Sequence, residues 1–293
     1  MAEREWLAEQ FEANRRHLRA VAYRMLGSLA EADDAVQEAW LRLSRSDADE
    51  IENLRAWLTT VVGRVCLNML RSRRSKREES LEFHLPDPIV SPEDETGPED
   101  EALLADSVGL ALLVVLEKLS PAERLAFVLH DMFGVSFGEI AEIVGRSPEA
   151  ARQLASRGRR RIKGGTPVSD PDRARQRDVV EAFLAASRAG DFDALIAVLD
   201  PDVVLRADRG AVPAGPSRVI RGAAMVARQA LIFGGRVVEL ARPALVNGTV
   251  GLVVADGDQP IAVLDFTVAR DRIVEINILA DEVRLRELDL PLQ

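Results

Sequence analysis

Apolar residues recur at three- and four-residue spacing through Leu18, Val21, Ala22, Met25 and Leu26, and again through Ala35, Val36, Ala39, Trp40, Leu41 and Leu43. That period predicts amphipathic helices. In "GSLAEADDAVQEAW" a turn precedes a helix whose first turn is rich in acids, as the helix dipole favours. A third amphipathic stretch runs from Leu54 through "RAWLTTVVGRVCLNMLRSRRS" and completes a small helical bundle. There the pattern breaks. "HLPDPIVSPEDETGPED" holds four prolines, a glycine and a run of acids, which predicts an extended linker without regular structure.

Helical periodicity resumes near Asp100. In "LSPAERLAFVLHDMFGVSF", Ser120 with Glu123 three residues on and Pro121 between them form a capping box. "SFGEIAEIVGRSPEAARQLASRGRRRIK" then reads as a short helix, a three-residue turn containing Gly145, and a second helix opened by Ser147 and Pro148. Ala141, Ala151 and Leu154 supply what two closely crossing helices require, so the segment is a helix-turn-helix. Beyond "KGGTPVSDPDRA" the texture changes. "ARQRDVVEAFLAASRAGDFDALIAVL" is one more helix pair, and from Val203 onward β-rich runs dominate, with turn signals at Asn247-Gly248 and Asp256-Gly257. A separate α+β domain is expected from near Asp172.

The 293 residues suffice for two or three domains, each with a core of its own. The longest apolar run, "VGLALLVVLEKL", falls short of the roughly 20 residues a membrane span needs, and the N-terminus lacks a signal pattern. A cytoplasmic protein without membrane contact is expected. The single cysteine, Cys66, allows no internal disulfide and no cysteine-type metal cluster, and reads as a small buried apolar residue. No cofactor or metal is expected.

Charge changes the picture more by its distribution than by its total of −10. "RSRRSKR" and "RGRRRIK" are basic, whereas Leu81 to Leu116 contains acids and no lysine or arginine. The second helix of a helix-turn-helix enters the DNA major groove. Glu149, Arg152, Gln153 and Ser156 would lie against base edges, Arg152 and Gln153 being suited to guanine and adenine. Arg157, Arg159 and Arg160 would meet phosphates.

"EADDAVQEAWLRL", "NLRAWLTTVVGRVCLNMLRSRRSK" and the helix-turn-helix segment, in that order, closely resemble the two domains of bacterial extracytoplasmic-function sigma factors, the small promoter-specificity subunits of RNA polymerase. The resemblance spans roughly Phe11 to Lys163. It implies a region 2 domain over residues 1–78, a linker over 79–101 and a region 4 domain over 102–165. By the same resemblance, Asp33, Asp34, Gln37, Glu38 and Leu41 would face the clamp helices of the largest core subunit, and region 4 would meet the flap. Asn68, Arg71, Arg73 and Arg74 would contact the minus-ten promoter DNA. The loop Ser44 to Asn53, which in the family captures a flipped base, is here unusually acidic. Trp57 is assigned to the core. The acidic linker fits a segment that threads the polymerase cleft, where a polyanion can occupy a channel built for nucleic acid.

Residues 172–293 resemble a SnoaL-like, cone-shaped α+β domain of the nuclear-transport-factor-2 superfamily. The implied architecture is therefore two all-α domains, the second with the helix-turn-helix, followed by an α+β cone. Sigma factors with this fused tail form a recognised group in which the tail is thought to regulate the sigma factor. "HLPDP" resembles the group's Trp-Leu-Pro-Glu-Pro linker motif, and "ADRGA" a degraded Asp-Gly-Gly-Gly-Arg motif, so His84, Pro86, Pro88, Asp208 and Gly210 are the candidate regulatory residues. The group's Asn-Pro-Asp-Lys-Leu signature is barely visible in "DEVRL". Related cone folds host enzymes and bind small ligands; no histidine lies in this domain, but Asp208 and Asp265 could act as bases or bind a ligand. The expectation is a sigma factor that performs no catalysis and whose tail can hold a small ligand. Two rivals remain: a helix-turn-helix regulator that never meets polymerase, and a SnoaL-type enzyme tethered to DNA.

Overall fold

The computed structural model describes residues 2–46, 51–77, 84–92, 109–163, 172–210 and 217–291, and among these the side chains of 2–5, 74–77 and 233–237 lie outside the description. The chain divides into two compact units, Met1–Leu81 with Val115–Gly165, and Glu82–Val114 with Thr166–Gln293.

In the first unit α1 (Ala2–Leu26), α2 (Leu29–Leu43) and α3 (Leu54–Arg77) form the bundle that the apolar spacing predicts. Leu18, Val21, Met25, Val36, Leu43, Leu58 and Val62 are buried in it. Cys66 is fully buried, and burial pushes its thiol up to about 12, so it serves as an apolar filler.

The helix α4 (Leu110–Leu116) spans the division at Val114, and the remaining helices of the first unit follow it. Ser120 caps α5 (Pro121–Phe127) with the reciprocal Glu123 bonds of a capping box, and the helix widens into a π turn over Val128–Met132. A second capping box, Ser136 with Glu139, opens α6 (Phe137–Val144), and Gly145 in the left-handed conformation ends it. Pro148–Lys163 is α7. Its Gly158 faces α5 so closely that a Cβ there would sit 3.1 Å from Phe127 Cβ and 3.3 Å from the Glu123 carbonyl.

The second unit is a curved sheet with three helices on one face and a short fourth on the other. Its helices are α8 (Arg173–Ala189), α9 (Phe192–Val198), α10 (Ala223–Glu239) and α11 (Glu282–Glu287). Its strands are β1 (Val90–Pro92), β2 (Leu199–Asp208), β3 (Arg218–Arg221), β4 (Ala241–Val246), β5 (Thr249–Asp256), β6 (Gln259–Ala269) and β7 (Arg272–Leu279), ordered β1-β4-β5-β6-β7-β2-β3. Only the β2–β7 pairing is parallel among those described.

Strand alternation sorts the side chains onto two faces. Leu205, Leu252, Phe266 and Ile276 pack with Val180, Phe183 and Leu184 of α8 and Val226 and Ala227 of α10. Ala244, Val246, Val253, Val263 and Leu279 pack on the opposite face with Leu285 of α11 and Val90 of β1. The linker, expected to lack regular structure, therefore supplies a strand: Val90 to Pro92 pair antiparallel with Val246 to Ala244. The edge of the sheet offers unpaired backbone groups, and an extended segment with buried apolar residues satisfies them.

Candidate nucleic-acid interface and linker clamp

The exposed face of α2 carries Asp33, Asp34, Gln37 and Leu41 at helical spacing, with Glu38 half-buried beside them. Asp33 accepts from Arg19 at 2.7 Å and Glu38 from Arg42 at 2.9 Å. Leu41 is 39% exposed among these charges, an apolar spot on a polar face.

On α3 the exposed stripe consists of Arg64, Asn68 and Arg71. Arg73 does not join it. Its guanidinium reaches back to Glu31 at 2.8 Å and to the Leu26 carbonyl at 3.0 Å, fastening α3 to the start of α2. The Arg74 side chain and residues 47–50 of the acidic loop lie outside the described residues. Trp57 is half-buried, and the Trp40 ring lies 5.1 Å from that of Phe11.

The α7 helix buries Ala151, Leu154, Ala155 and Gly158 and exposes Glu149, Arg152, Gln153 and Arg160, with Ser156 half-buried. Arg152 lies over the Phe137 ring, 5.3 Å from its centre, which holds the guanidinium at the mouth of the turn. The arginines beyond it divide their work. Arg159 pairs with Asp131 at 2.7 Å, and Arg157 and Arg161 both reach the buried Glu123, Arg157 at 3.9 Å. The crowding of arginines thus serves the fold as well as a phosphate surface: three of them tie α7 to the helix in front of it.

In the second unit the linker segment lies in a clamp. The Leu85 amide donates to Asp208 Oδ2 at 2.7 Å, and the Arg284 guanidinium donates to the same oxygen at 2.8 Å, to the Leu85 carbonyl at 2.7 Å and to Asp87. Asp208 Oδ1 accepts from the Gly210 amide at 3.2 Å and the Ser217 hydroxyl at 3.1 Å. Further along, the Ile89 amide donates to Asn247 Oδ1 and its carbonyl accepts from the Asn247 amide. Pro86 and Pro88 are buried and have no N–H to leave unsatisfied, so the alternation Leu85, Pro86, Asp87, Pro88, Ile89 suits a segment gripped at every second residue. His84 stands 3.6 Å from Asp208. Gly210 has a positive φ, and a Cβ on it would run into the Asp281 carboxylate. Burial opposes ionisation of Asp208, but His84, the Leu85 and Gly210 amides and Arg284 outweigh it and hold the carboxyl at about 2.

These patterns have counterparts among known proteins. The Sigma-70 region 2 family matches residues 10–76 and the Sigma-70, region 4 family matches residues 109–162. The ECF RNA polymerase sigma factor SigJ of Mycobacterium tuberculosis is 42% identical over 264 residues, covering 86% of this chain and 84% of its own. The chain belongs to the extracytoplasmic-function sigma factors. The probable ECF RNA polymerase sigma factor SigI of the same species is 39% identical over 224 residues, covering 75% of this chain and 76% of its own. The crystal structure of M. tuberculosis SigJ matches with a TM-score of 0.77 at 37% identity, covering 98% of this chain and all of that one. As a sigma factor the protein confers promoter recognition on core RNA polymerase, and its partners are that polymerase and promoter DNA. The family is not enzymatic, and no described helix is long and apolar enough to cross a membrane.

Sequence reasoning on this sigma factor singled out Asp208 and missed three clamp residues. Asp208, at a strand end where turn or surface residues are usual, is fully buried. Arg284 and Asp87 complete the clamp, and Asn247 combines its turn with the grip on Ile89. The signal for Arg284 was weak: a single cation inside the degraded "DEVRL".

Asp265 is also fully buried, accepting from Asn277 Nδ2 at 3.1 Å and lying 3.1 Å from Thr249 Oγ1. Burial, reinforced by the nearby Glu275 and only partly opposed by those two groups, pushes its carboxyl up to about 6. A folded pKa raised from 3.8 to about 6 gives stability that is complete below about pH 4 and lost as pH rises through 6. Asp265→Asn should therefore be more stable than the parent above pH 7, by up to about 3 kcal/mol, and show no advantage at pH 4. Thermal melts at the two pH values check this, and a parent chain equally stable at both would refute it.

Proposed function

We propose that this sigma factor docks on core polymerase through Asp33, Asp34, Gln37, Glu38 and Leu41, reads the minus-ten element with Asn68 and Arg71, and reads the minus-35 element with Glu149, Arg152, Gln153 and Ser156. Arg160 supplies a phosphate contact, and Arg157 and Arg159 do so while keeping their ion pairs. The partition into 1–78, 79–101, 102–165 and 172–293 follows, with the stretch around His84 to Pro92 serving the C-terminal domain as its handle. The clamp carries the regulatory part of the reading, because it grips the segment that joins the two DNA-binding domains. The C-terminal domain acts by holding and releasing that segment and performs no chemistry. Its two candidate bases support this: Asp208 is occupied by the clamp, and Asp265 is sealed among Asn277, Thr249 and Glu275. The protein works in the cytoplasm, where polymerase is.

Leu41→Glu tests the docking face, since it adds a charge at an exposed position without disturbing the core. Binding to purified core polymerase should fall at least tenfold, with run-off transcription falling in step and thermal stability unchanged. Core binding equal to the parent's would favour a DNA-binding regulator that never meets polymerase.

A further inference from the structure

The helix-covered face of the sheet encloses a cavity of about 350 Å³, walled chiefly by Phe183, Leu205, Leu252, Leu264, Ile276 and Ile278. Its size is at the small end of ligand pockets, and its lining has their usual apolar character. Ser187, Gln229 and two arginines interrupt that lining. Ser187, 4% exposed, lines the cavity, and its hydroxyl has no hydrogen-bond partner. Leaving such a group unsatisfied is costly, so a ligand with a polar end has something to gain here. Arg209 and the exposed Arg218 also line the cavity, and no acidic side chain does among the described residues. The site therefore suits a mostly hydrocarbon molecule with one negative, hydrogen-bonding group.

The walls connect to the clamp. Leu205, Ala207 and Arg209 line the cavity, while Arg206 and Asp208 between them point to the other face of β2. Ile276, Ile278 and Ala280 line it from β7 and its end, and the Ala280 amide donates to the Asp208 carbonyl at 2.7 Å. A single pair of strands thus presents one set of residues to the cavity and the intervening set to the linker. Both candidate bases lie on the linker side, so among the described residues a molecule held in the cavity meets neither of them, which supports binding without turnover.

We propose that this cavity binds a small apolar carboxylic acid, and that its occupancy orders β2 and β7 and so tightens the grip on Leu85 and Ile89. The ligand site stands on its own geometry, and only the consequence for transcription rests on the regulatory reading above. Ligand that binds the ordered state stabilises it by mass action.

The test is calorimetric titration of the full-length chain with octanoate, 1-octanol and octylammonium, together with hydrogen exchange at the Leu85 and Ile89 amides. Octanoate should bind saturably and at least tenfold more tightly than octylammonium. Arg218→Glu, at an exposed position, should weaken octanoate at least tenfold and leave 1-octanol within twofold. Ala262→Leu, which fills part of the cavity, should weaken both. Saturating octanoate should slow exchange at Leu85 and Ile89 at least threefold. Absence of saturable binding, or octylammonium binding as well as octanoate, overturns the site; binding with unchanged exchange at both amides overturns the coupling. Neither readout involves polymerase, so failure of the sigma docking assay and failure here are separate results.

Discussion

Arg284→Ala should release the linker. The guanidinium is the cation that Asp208 and Asp87 share, and it also satisfies the Leu85 carbonyl. Removing one partner of a buried pair typically costs about 3–5 kcal/mol. Asp208 keeps its amide and hydroxyl donors here, so about 3 kcal/mol is expected, which corresponds to roughly a hundredfold shift toward the undocked linker. Hydrogen exchange at the Leu85 and Ile89 amides should accelerate by that factor, and transcription from a selected promoter should respond if the clamp regulates it. Arg284→Lys keeps the charge but loses the fork that reaches two carboxylates, so its effect should fall between the two. The pH dependence has a definite sign. Asp208 is held at about 2 against 3.8 when unfolded, so its stabilising contribution is present above about pH 4 and disappears as pH falls through 2. The Asp208 carboxylate's own contribution should therefore be level between pH 5 and 8, and Arg284→Ala should move its acid limb upward. Exchange at the parent rate in Arg284→Ala would show that the amides are held by Asp208 and Asn247 alone.

Much of this arrangement was legible because it is local. The helices of the first unit announce themselves by period, caps and the glycine of the turn, and Ser120 with Glu123 forms the box its spacing demands. The helix-turn-helix was equally legible, since Gly145, Ser147 and Pro148 fix it within a few residues. The clamp was only half visible. "HLPDP" and Asp208 stood out by resemblance, but what binds them comes from far along the chain: Arg284 meets Asp87 across 197 residues, and Asn247 meets Ile89 across 158. Asn247 was hidden for a further reason, since its place in an Asn-Gly hairpin fully explains its presence. The strand β1 was missed because prolines and acids argue against a strand in general, though not against a short edge strand whose apolar residues are buried. The arginines at the end of α7 look alike in sequence, and only the positions of Glu123 and Asp131 separate those tied to the fold from Arg160.

The second large effect concerns the two DNA-binding regions themselves, which touch within the first unit. A Cβ on Gly63 of α3 would sit 3.4 Å from the Cδ1 atoms of Leu129 and Ile143. Phe133 meets the His17 ring edge-on at 5.3 Å and lies 5.1 Å from the Arg24 guanidinium, while Arg124 donates twice to the Arg24 carbonyl. Arg64, on the exposed stripe of α3, donates to the Glu142 carbonyl in α6. Promoter elements named for positions about 10 and 35 base pairs upstream lie about 85 Å apart along B-DNA at 3.4 Å per base pair. On the proposed reading, in which region 2 takes the minus-ten and region 4 the minus-35 element, two regions in direct contact do not reach both, and this contact breaks before the promoter is bound. Gly63→Leu places a larger side chain against Leu129 and Ile143 only while the regions are together. Overpacking of about 2 kcal/mol then falls on the closed arrangement alone, a shift of roughly thirtyfold toward the open one. Apparent affinity rises as the competent fraction rises. Gly63→Leu should therefore give more run-off transcript at limiting sigma factor, with reduced energy transfer between dyes on cysteines introduced at exposed Arg45 and Glu142. Buried Cys66, its thiol pushed up to about 12, will not compete for the label. Gly63→Ala, whose added methyl only touches Leu129 and Ile143, should stay near the parent. If Gly63→Leu leaves both energy transfer and transcript unchanged, the contact does not limit promoter binding.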